Sequence, residues 1–174
     1  MIRAAVMALA LAAPAEAETL RPFDMEDVPY GLFALQGGTF HGQLSNNSEP
    51  FRSSILFLCI DCDARSDAFV GLFLDARDDG SAIRADPDAF ADLQQRICDS
   101  SDRTECMARA VTHAGLPGFS IESRLGDRWL VREVFFASGL TLLIESSDLD
   151  KATARANTTH LRDTVAPFVT GTTP

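Results

Sequence analysis

Four cysteines are the residues of this chain best suited to chemistry: Cys59, Cys62, Cys98 and Cys106. An even number of cysteines in an oxidising compartment predicts disulfide bonds. Four cysteines allow three connectivities. We favour two local bridges, Cys59–Cys62 and Cys98–Cys106, because each joins residues that a short turn can bring together. The alternative crosses the two pairs and joins the predicted helices to the sheet.

The Cys59-Ile60-Asp61-Cys62 segment is a C-x-x-C sequence, which offers a second interpretation. In redox enzymes the first cysteine of this motif has a lowered pKa because it lies at a helix N-terminus. Here the residues after Cys62 predict a turn and a strand, and Asp61 and Asp63 disfavour a thiolate. We therefore expect structural disulfides, and we keep a thiol-disulfide oxidoreductase that uses Cys59 and Cys62 as the alternative function.

Other catalytic and metal-binding patterns are weak. The C-x2-C and C-x7-C spacings could supply four thiolates to zinc, but an exported protein would oxidise them first. Asp75–Asp86 partly imitates a calcium loop, but Arg77 occupies a ligand position, so we interpret the segment as a turn that enters a helix. We find no hydrolase motif. The sequence therefore predicts no cofactor, no metal and no catalytic constellation.

The N-terminal residues have the pattern of a secretory signal peptide. Met1–Arg3 is a short basic start, Ala4–Ala13 is apolar, and Ala15-Glu16-Ala17 is a small-x-small cleavage site. The apolar run is too short for a membrane span, which needs about 20 residues. We expect cleavage after Ala17, export to the periplasm and a soluble mature protein without a membrane anchor.

The formal net charge of −10 narrows the choice of partners. An acidic chain repels phosphate backbones, so nucleic acid is not expected as a partner. The segment between Asp61 and Glu105 holds twelve acidic side chains against five arginines. A charge run of this kind is commonly a solvated face. The functional interpretation is a site for a basic protein or a cationic ligand, with Asp86, Asp88 and Asp92 as its candidate residues.

Hydrophobic patterning predicts the elements that hold these residues. Apolar runs at 53–60 and 67–75 predict an antiparallel strand pair, and Gly37-Gly38 predicts a hairpin turn within 31–44. Asp86 followed by Pro87 predicts the start of a first helix. The capping pattern of Asp102 and Glu105 predicts a second helix. Its expected apolar stripe contains Met107, Ala110, Val111 and Ala114.

The last third of the chain predicts a three-stranded antiparallel meander over 118–123, 128–136 and 140–145. A helix that starts at Ser147 should follow and pack on the meander. Its expected apolar side contains Leu149, Ala152, Ala156, Leu161, Val165 and Phe168.

The predicted fold class is therefore α+β: a mostly antiparallel sheet, a helical pair inserted midway and a C-terminal amphipathic helix on the sheet. With 174 residues, of which 46% are hydrophobic, the chain fits one domain. We assign residues 1–17 to the signal peptide, 18–30 to an N-terminal arm, 31–170 to the domain and 171–174 to a frayed tail.

The run FSIESRLGDRWLVREVFFASGLTLLIESSDLD, followed by a long amphipathic helix, resembles the closing half of PsbP/Mog1/DcrB-type α/β/α sandwich domains. The resemblance covers Gly118–Phe168. It implies a sandwich fold and an accessory or scaffold-like role without a catalytic site. It assigns no site residues. The sequence as a whole therefore predicts an exported binding or accessory protein stabilised by two disulfides.

Overall fold

The structure, a computed structural model, describes residues 34–46, 51–62, 66–74, 81–137 and 140–170. The expected signal peptide, N-terminal arm and C-terminal tail lie outside these residues. The described chain contains seven strands and three helices. In chain order they are β1 Phe40–Asn46, β2 Phe51–Cys59, β3 Asp67–Leu74, α1 Ser81–Ala85, α2 Pro87–Asp99, β4 Thr104–His113, β5 Leu116–Leu125, β6 Arg128–Ala137, β7 Leu140–Asp148 and α3 Lys151–Thr170.

All seven strands form one antiparallel sheet in the order β1-β2-β3-β7-β6-β5-β4. The first three strands make one meander and the last four make another. The chain crosses from β3 to the far edge through α1 and α2, and then returns strand by strand to the centre. The predicted strand pair β2–β3 and the predicted meander of the last third are confirmed.

The two faces of the sheet carry different helices, because successive side chains of a strand point to opposite faces. Phe135 on β6 and Ile144 on β7 face α3, where they form the main core with Leu161 and Val165. The neighbouring Val134 and Phe136 point the other way, toward Ile83 of α1 and Phe90 of α2. The predicted packing of the C-terminal helix on the meander is confirmed, and helices lie on both faces.

The predicted second helix of the midway pair is wrong, because residues 104–113 form the edge strand β4. Residues Met107 to His113 pair with β5. The backbone hydrogen bonds offered by β5 therefore override the local helical pattern of this segment. Glu105 has a φ of 50°, which excludes it from the third position of a right-handed helix. The midway helices are instead the short α1 and the longer α2.

The start of the C-terminal helix also differs from the prediction. Asp150, not Ser147, caps α3, and its carboxylate accepts bonds from the backbone N–H and the hydroxyl of Thr153 at 2.8 and 2.9 Å. Leu149 is exposed before the helix begins. The first half of α3 buries small and polar side chains, among them Ala154, Asn157 and Thr158. Of the predicted apolar side, Leu161 and Val165 in the second half of the helix are buried as expected. The Phe168 side chain lies outside the described set.

Gly37 and Gly38 do not form the predicted hairpin turn. The described residues before them, 34–36, are not strand, and β1 begins only at Phe40. Gly37 has a φ of 92°, a conformation that favours glycine. The two glycines instead carry the chain past the end of β2, where the C-x-x-C segment lies.

Candidate functional site

The four cysteines form the two local disulfides that the spacing favoured, Cys59–Cys62 and Cys98–Cys106. The crossed pairing is therefore wrong for this structure. The two bridges lie far apart, since β2 and β4 are separated by five strand-to-strand steps, or about 24 Å. That separation also excludes the four-thiolate zinc centre.

The Cys98–Cys106 bridge joins the last turn of α2 to β4. Cys98 is buried. Beside the bridge, the Gln95 side chain donates to the Cys106 carbonyl at 3.0 Å and accepts from the Ala108 backbone N–H at 2.8 Å. The disulfide and these bonds together fix the helix against the edge strand. This arrangement is that of a structural disulfide.

The Cys59–Cys62 bridge lies in the turn that leaves β2. Cys59 ends the strand, and its backbone N–H donates to Ser66 at 3.1 Å, while the N–H of Ile60 donates to Thr39 at 3.0 Å. Both cysteines are partly exposed. Cys59 lies in a strand, Cys62 lies in irregular structure, and the next described element along the chain is strand β3. Among the described residues around the motif, 51–62 and 66–74, none forms a helix whose dipole could activate Cys59 as in redox enzymes.

Glycine is required beside this disulfide. A Cβ atom at Gly38 would lie 2.5 Å from the Cys59 sulfur, 2.6 Å from the Cys62 sulfur and 2.9 Å from Oδ1 of Asp61. The carbonyl oxygen of Gly37 lies 3.3 Å from the Cys62 sulfur. The backbone of the two glycines is thus in direct contact with the bridge, and three side-chain atoms converge on one point beside Gly38.

Asp61 is held in its charged form. Its carboxylate accepts the backbone N–H of Thr39 at 2.6 Å and the Thr39 hydroxyl at 2.8 Å. These hydrogen bonds lower the pKa of Asp61 below its usual value, the backbone bond first. Oδ1 of Asp61 lies 3.4 Å from the Cys59 sulfur. A fixed negative charge at that distance disfavours a thiolate at Cys59, as the sequence predicted.

The segment that carries the two glycines is anchored by α3. The Asn157 side chain accepts the backbone N–H of Gln36 at 2.7 Å and donates to the Gln36 carbonyl at 2.9 Å. On the other side of the bridge, Ser66 donates to Asp148 at 2.7 Å. Sequence reasoning missed Asn157. The signal that could have found it is a polar residue inside the apolar face of a helix.

A row of exposed apolar side chains leads to the disulfide, and we call it the apolar row. It consists of Leu56, Leu58 and Ile60, which are 38, 47 and 65% exposed. Leu56 and Leu58 alternate with the buried Ile55 and Phe57, so they lie on the sheet face opposite α3. On that face the described helices α1 and α2 contact β5 and β4, at the far side of the sheet.

The three candidate aspartates lie at the start of α2, and all are exposed. Asp86 is the N-cap and accepts the backbone N–H of Ala89 at 3.0 Å. Asp88 and Asp92 are four positions apart and share a side of the helix. The acidic stretch from Asp61 to Glu105 is not one face, because Asp61 lies beside β2 and α2 packs on β4 at the opposite edge.

A buried carboxylate outside the disulfide region is the centre of an ion cluster. The Glu122 side chain is 8% exposed and accepts two bonds from Arg155, at 3.0 and 2.6 Å. Lys151 and Arg109 lie 3.4 and 3.6 Å from it. Burial would raise the pKa of Glu122, but the hydrogen bonds and charges of Arg155 and Lys151 outweigh burial and lower it. The cluster fixes α3 to β5.

Comparison with protein-family models, curated proteins and solved structures gives no match for this chain. Within the part of the chain that the structure describes, no helix has the length and apolar character needed to cross a membrane.

Proposed function

We propose that this chain is an exported accessory protein that binds another protein through the apolar row. The observation that carries the proposal is the exposure of Leu56 and Leu58 on one sheet face, followed along the chain by the exposed Ile60 just after the strand ends. Single exposed apolar residues are ordinary, but a contiguous group is typical of interaction sites. The N-terminal pattern of residues 1–17 supports export, and the two disulfides are compatible with an oxidising compartment.

The charge of the chain supports a basic partner. A net charge of −10 attracts a basic protein over long distances and speeds encounter, while the apolar row supplies the area that is buried on contact. Asp61 stands at one end of the apolar row and is exposed. Asp86, Asp88 and Asp92 add to the net negative charge but lie at the start of α2, away from the apolar row. We therefore expect them to affect the rate at which a basic partner encounters the chain more than the contacts made at the apolar row.

The test is partner capture by the mature chain from an extract of exported proteins, with quantitative mass spectrometry. We expect a Leu56→Ser, Leu58→Ser, Ile60→Ser variant to lose the basic proteins that the wild type retains. The matched control is Leu125→Ser, since Leu125 is 56% exposed and lies outside the row. Equal capture by the triple variant and the wild type would reject the apolar row as the site.

The acidic residues need a separate measurement. We expect an Asp86→Asn, Asp88→Asn, Asp92→Asn variant to capture less partner at low salt and to match the wild type at high salt, because salt screens exposed charges beyond about 10 Å at 0.1 M. A partner that is captured equally at low salt would show that these three carboxylates have no part in binding.

A second candidate function is thiol-disulfide exchange at Cys59 and Cys62. It is favoured by one observation: each sulfur already has an acceptor in reach, Asp61 for Cys59 at 3.4 Å and the Gly37 carbonyl for Cys62 at 3.3 Å. In the disulfide these are close contacts, because the sulfurs carry no hydrogen. After reduction the two S–H groups would have acceptors in place, which stabilises the dithiol.

Redox titration against glutathione, with alkylation of free thiols and peptide mapping, tests this candidate. We expect the Cys59–Cys62 bridge to open at a milder potential than Cys98–Cys106, which should resist reduction like structural bridges below about −300 mV. If both bridges open together at strongly reducing potentials, thiol-disulfide exchange is rejected and partner binding remains.

A further inference from the structure

Three metal-ligating side chains meet at the end of β2. The side-chain donor atoms of Cys59, Asp61 and Cys62 all lie within 4.8 Å of one another. A Cβ atom at Gly38 would contact all three of them, at 2.5 to 2.9 Å. The three donor atoms therefore pack against the backbone of Gly38, where only a residue without a Cβ atom leaves them room. In the disulfide form the sulfurs are bonded to each other and cannot act as thiolate ligands.

We propose that reduction of the Cys59–Cys62 disulfide converts this cluster into a binding site for a thiophilic divalent cation such as Zn²⁺. Two sulfurs and one carboxylate oxygen are ligands that zinc accepts in tetrahedral sites, and a spacing of two residues between cysteines is common among them. Three protein ligands leave a fourth position open. The site differs from the four-thiolate centre, which the distance between the two bridges excludes.

The reductant for the Cys59–Cys62 disulfide is a dithiol. The dithiol supplies two electrons and two protons and becomes a disulfide, while the Cys59–Cys62 bond breaks to give two thiols. Zn²⁺ then binds both sulfurs and displaces the two protons into solvent. With Zn–S bonds of about 2.3 Å, the sulfurs of a tetrahedral site lie about 3.8 Å apart. The Cα atoms of Cys59 and Cys62 are 5.7 Å apart, so side-chain rotation can supply that separation.

The charge at the site favours a cation. Asp61 is exposed and held in one position by its two bonds to Thr39. A fixed carboxylate beside Cys59 opposes a free thiolate, which is unfavourable for a catalytic nucleophile. A dication reverses that effect, because it compensates both the carboxylate and the thiolates. The same contact that weakens the case for redox catalysis thus strengthens the case for metal binding.

The inference is independent of partner binding and requires only that the bridge can be reduced in the folded chain. The experiment reduces the full mature chain with a phosphine, counts free thiols, and titrates it with Co²⁺ and then Zn²⁺. We expect one equivalent of Co²⁺ with the intense absorption of sulfur-to-cobalt charge transfer, displaced by Zn²⁺. The oxidised chain and the Cys59→Ser, Cys62→Ser variant should show no such absorption.

Matched variants distinguish the loss of a metal ligand from a general effect of substitution on the chain. Asp61→Asn should weaken Zn²⁺ binding by at least the ~10–100-fold that is typical of changes around a metal site, whereas Asp127→Asn, at an exposed turn, should not. The Cys98→Ser, Cys106→Ser variant should bind as the wild type does. Gly38→Ala keeps all three ligands and should bind more weakly, because its Cβ would lie within 3 Å of all three donor atoms and displace them.

Several results would overturn the proposal. Two free thiols from Cys59 and Cys62 without metal binding above that of the Cys59→Ser, Cys62→Ser variant would reject the metal site, while leaving thiol-disulfide exchange intact. Wild-type affinity in Asp61→Asn or in Gly38→Ala would reject the three-ligand geometry. A bridge that stays closed until the chain unfolds would reject both the metal site and thiol-disulfide exchange.

Discussion

At the scale of single residues, two carboxylates illustrate how surroundings decide a role. Asp61 is exposed and close to a sulfur, and Glu122 is buried among three cations. The pKa of each is lowered, Asp61 by hydrogen bonds from Thr39 and Glu122 by Arg155 and Lys151 against the effect of burial. Asp61 is open to solvent and so to a ligand, whereas Glu122 has its charge already compensated by the protein. The first carboxylate belongs to a candidate site and the second to the fold.

Glu122 should contribute stability that depends on pH. A carboxylate whose pKa is lower in the folded state stabilises the fold above its ordinary pKa, and this stability is lost as pH falls through the folded-state value. We expect Glu122→Gln to lower the free energy of unfolding by about 1–3 kcal/mol at pH 7, and the difference from wild type to shrink by pH 3. Urea denaturation at the two pH values measures this.

The control is Glu105→Gln, because Glu105 makes an exposed ion pair with Arg124 at 3.3 Å. Exposed pairs contribute about 0–1 kcal/mol, so this variant should stay close to wild type at both pH values. A Glu122→Gln penalty that persists unchanged at pH 3 would contradict the role of its charge.

At the scale of elements, the candidate site depends on a segment that is not regular structure. Residues 34–39 are held beside the disulfide by Asn157 of α3 and by one backbone hydrogen bond, from the N–H of Ile60 to the Thr39 carbonyl. Helix α3 is in turn fixed to the sheet by Thr158, which donates to the Val131 carbonyl at 3.1 Å, and by the pair of Arg162 and Glu133. The position of Gly38 over the sulfurs therefore follows from the docking of a helix distant in sequence.

Asn157→Ala should loosen this segment without unfolding the sheet. Two hydrogen bonds to the Gln36 backbone are lost, and we expect a loss of about 1–3 kcal/mol in the free energy of unfolding. The more specific effect is faster hydrogen exchange at the Gln36 amide and faster reduction of Cys59–Cys62. Thr159→Ala, two residues along the helix, is the control. Unchanged exchange at Gln36 would show that Asn157 does not anchor the segment.

At the scale of the whole molecule, seven antiparallel strands with helices on both faces bring together parts of the chain that are far apart in sequence. Strand β3 pairs with β7, so the early and late meanders share one core. The two disulfides lie on the two halves of this sheet and close loops of different size, with sequence separations of 3 and 8. They should therefore contribute differently to global stability.

The chain-entropy treatment of cross-links gives about 1.6 kcal/mol for closing the Cys59–Cys62 loop and about 2.5 kcal/mol for the Cys98–Cys106 loop. We expect the Cys98→Ser, Cys106→Ser variant to lose more stability than the Cys59→Ser, Cys62→Ser variant in urea denaturation. The burial of Cys98 acts in the same direction. The opposite order would mean that the exposed bridge is the main structural cross-link.

The sequence determined the features that depend on local pattern. Cysteine spacing predicted both disulfides, continuous apolar runs predicted β2 and β3, and alternating segments with tight turns predicted the meander of β5, β6 and β7. Asp61 was recognised as unfavourable for a thiolate because it is a neighbour in the chain. These inferences succeed because their causes act over a few residues.

Only the tertiary structure decided the rest. The pattern of residues 102–114 suits a helix, but an open edge of β5 offers a full set of backbone hydrogen bonds, and the segment becomes β4. The contact of Gly38 with the two sulfurs, the anchoring by Asn157 and the exposure of the apolar row depend on which elements become neighbours. Pairing and packing across long sequence separations determine them, and no short stretch of this chain encodes those neighbours.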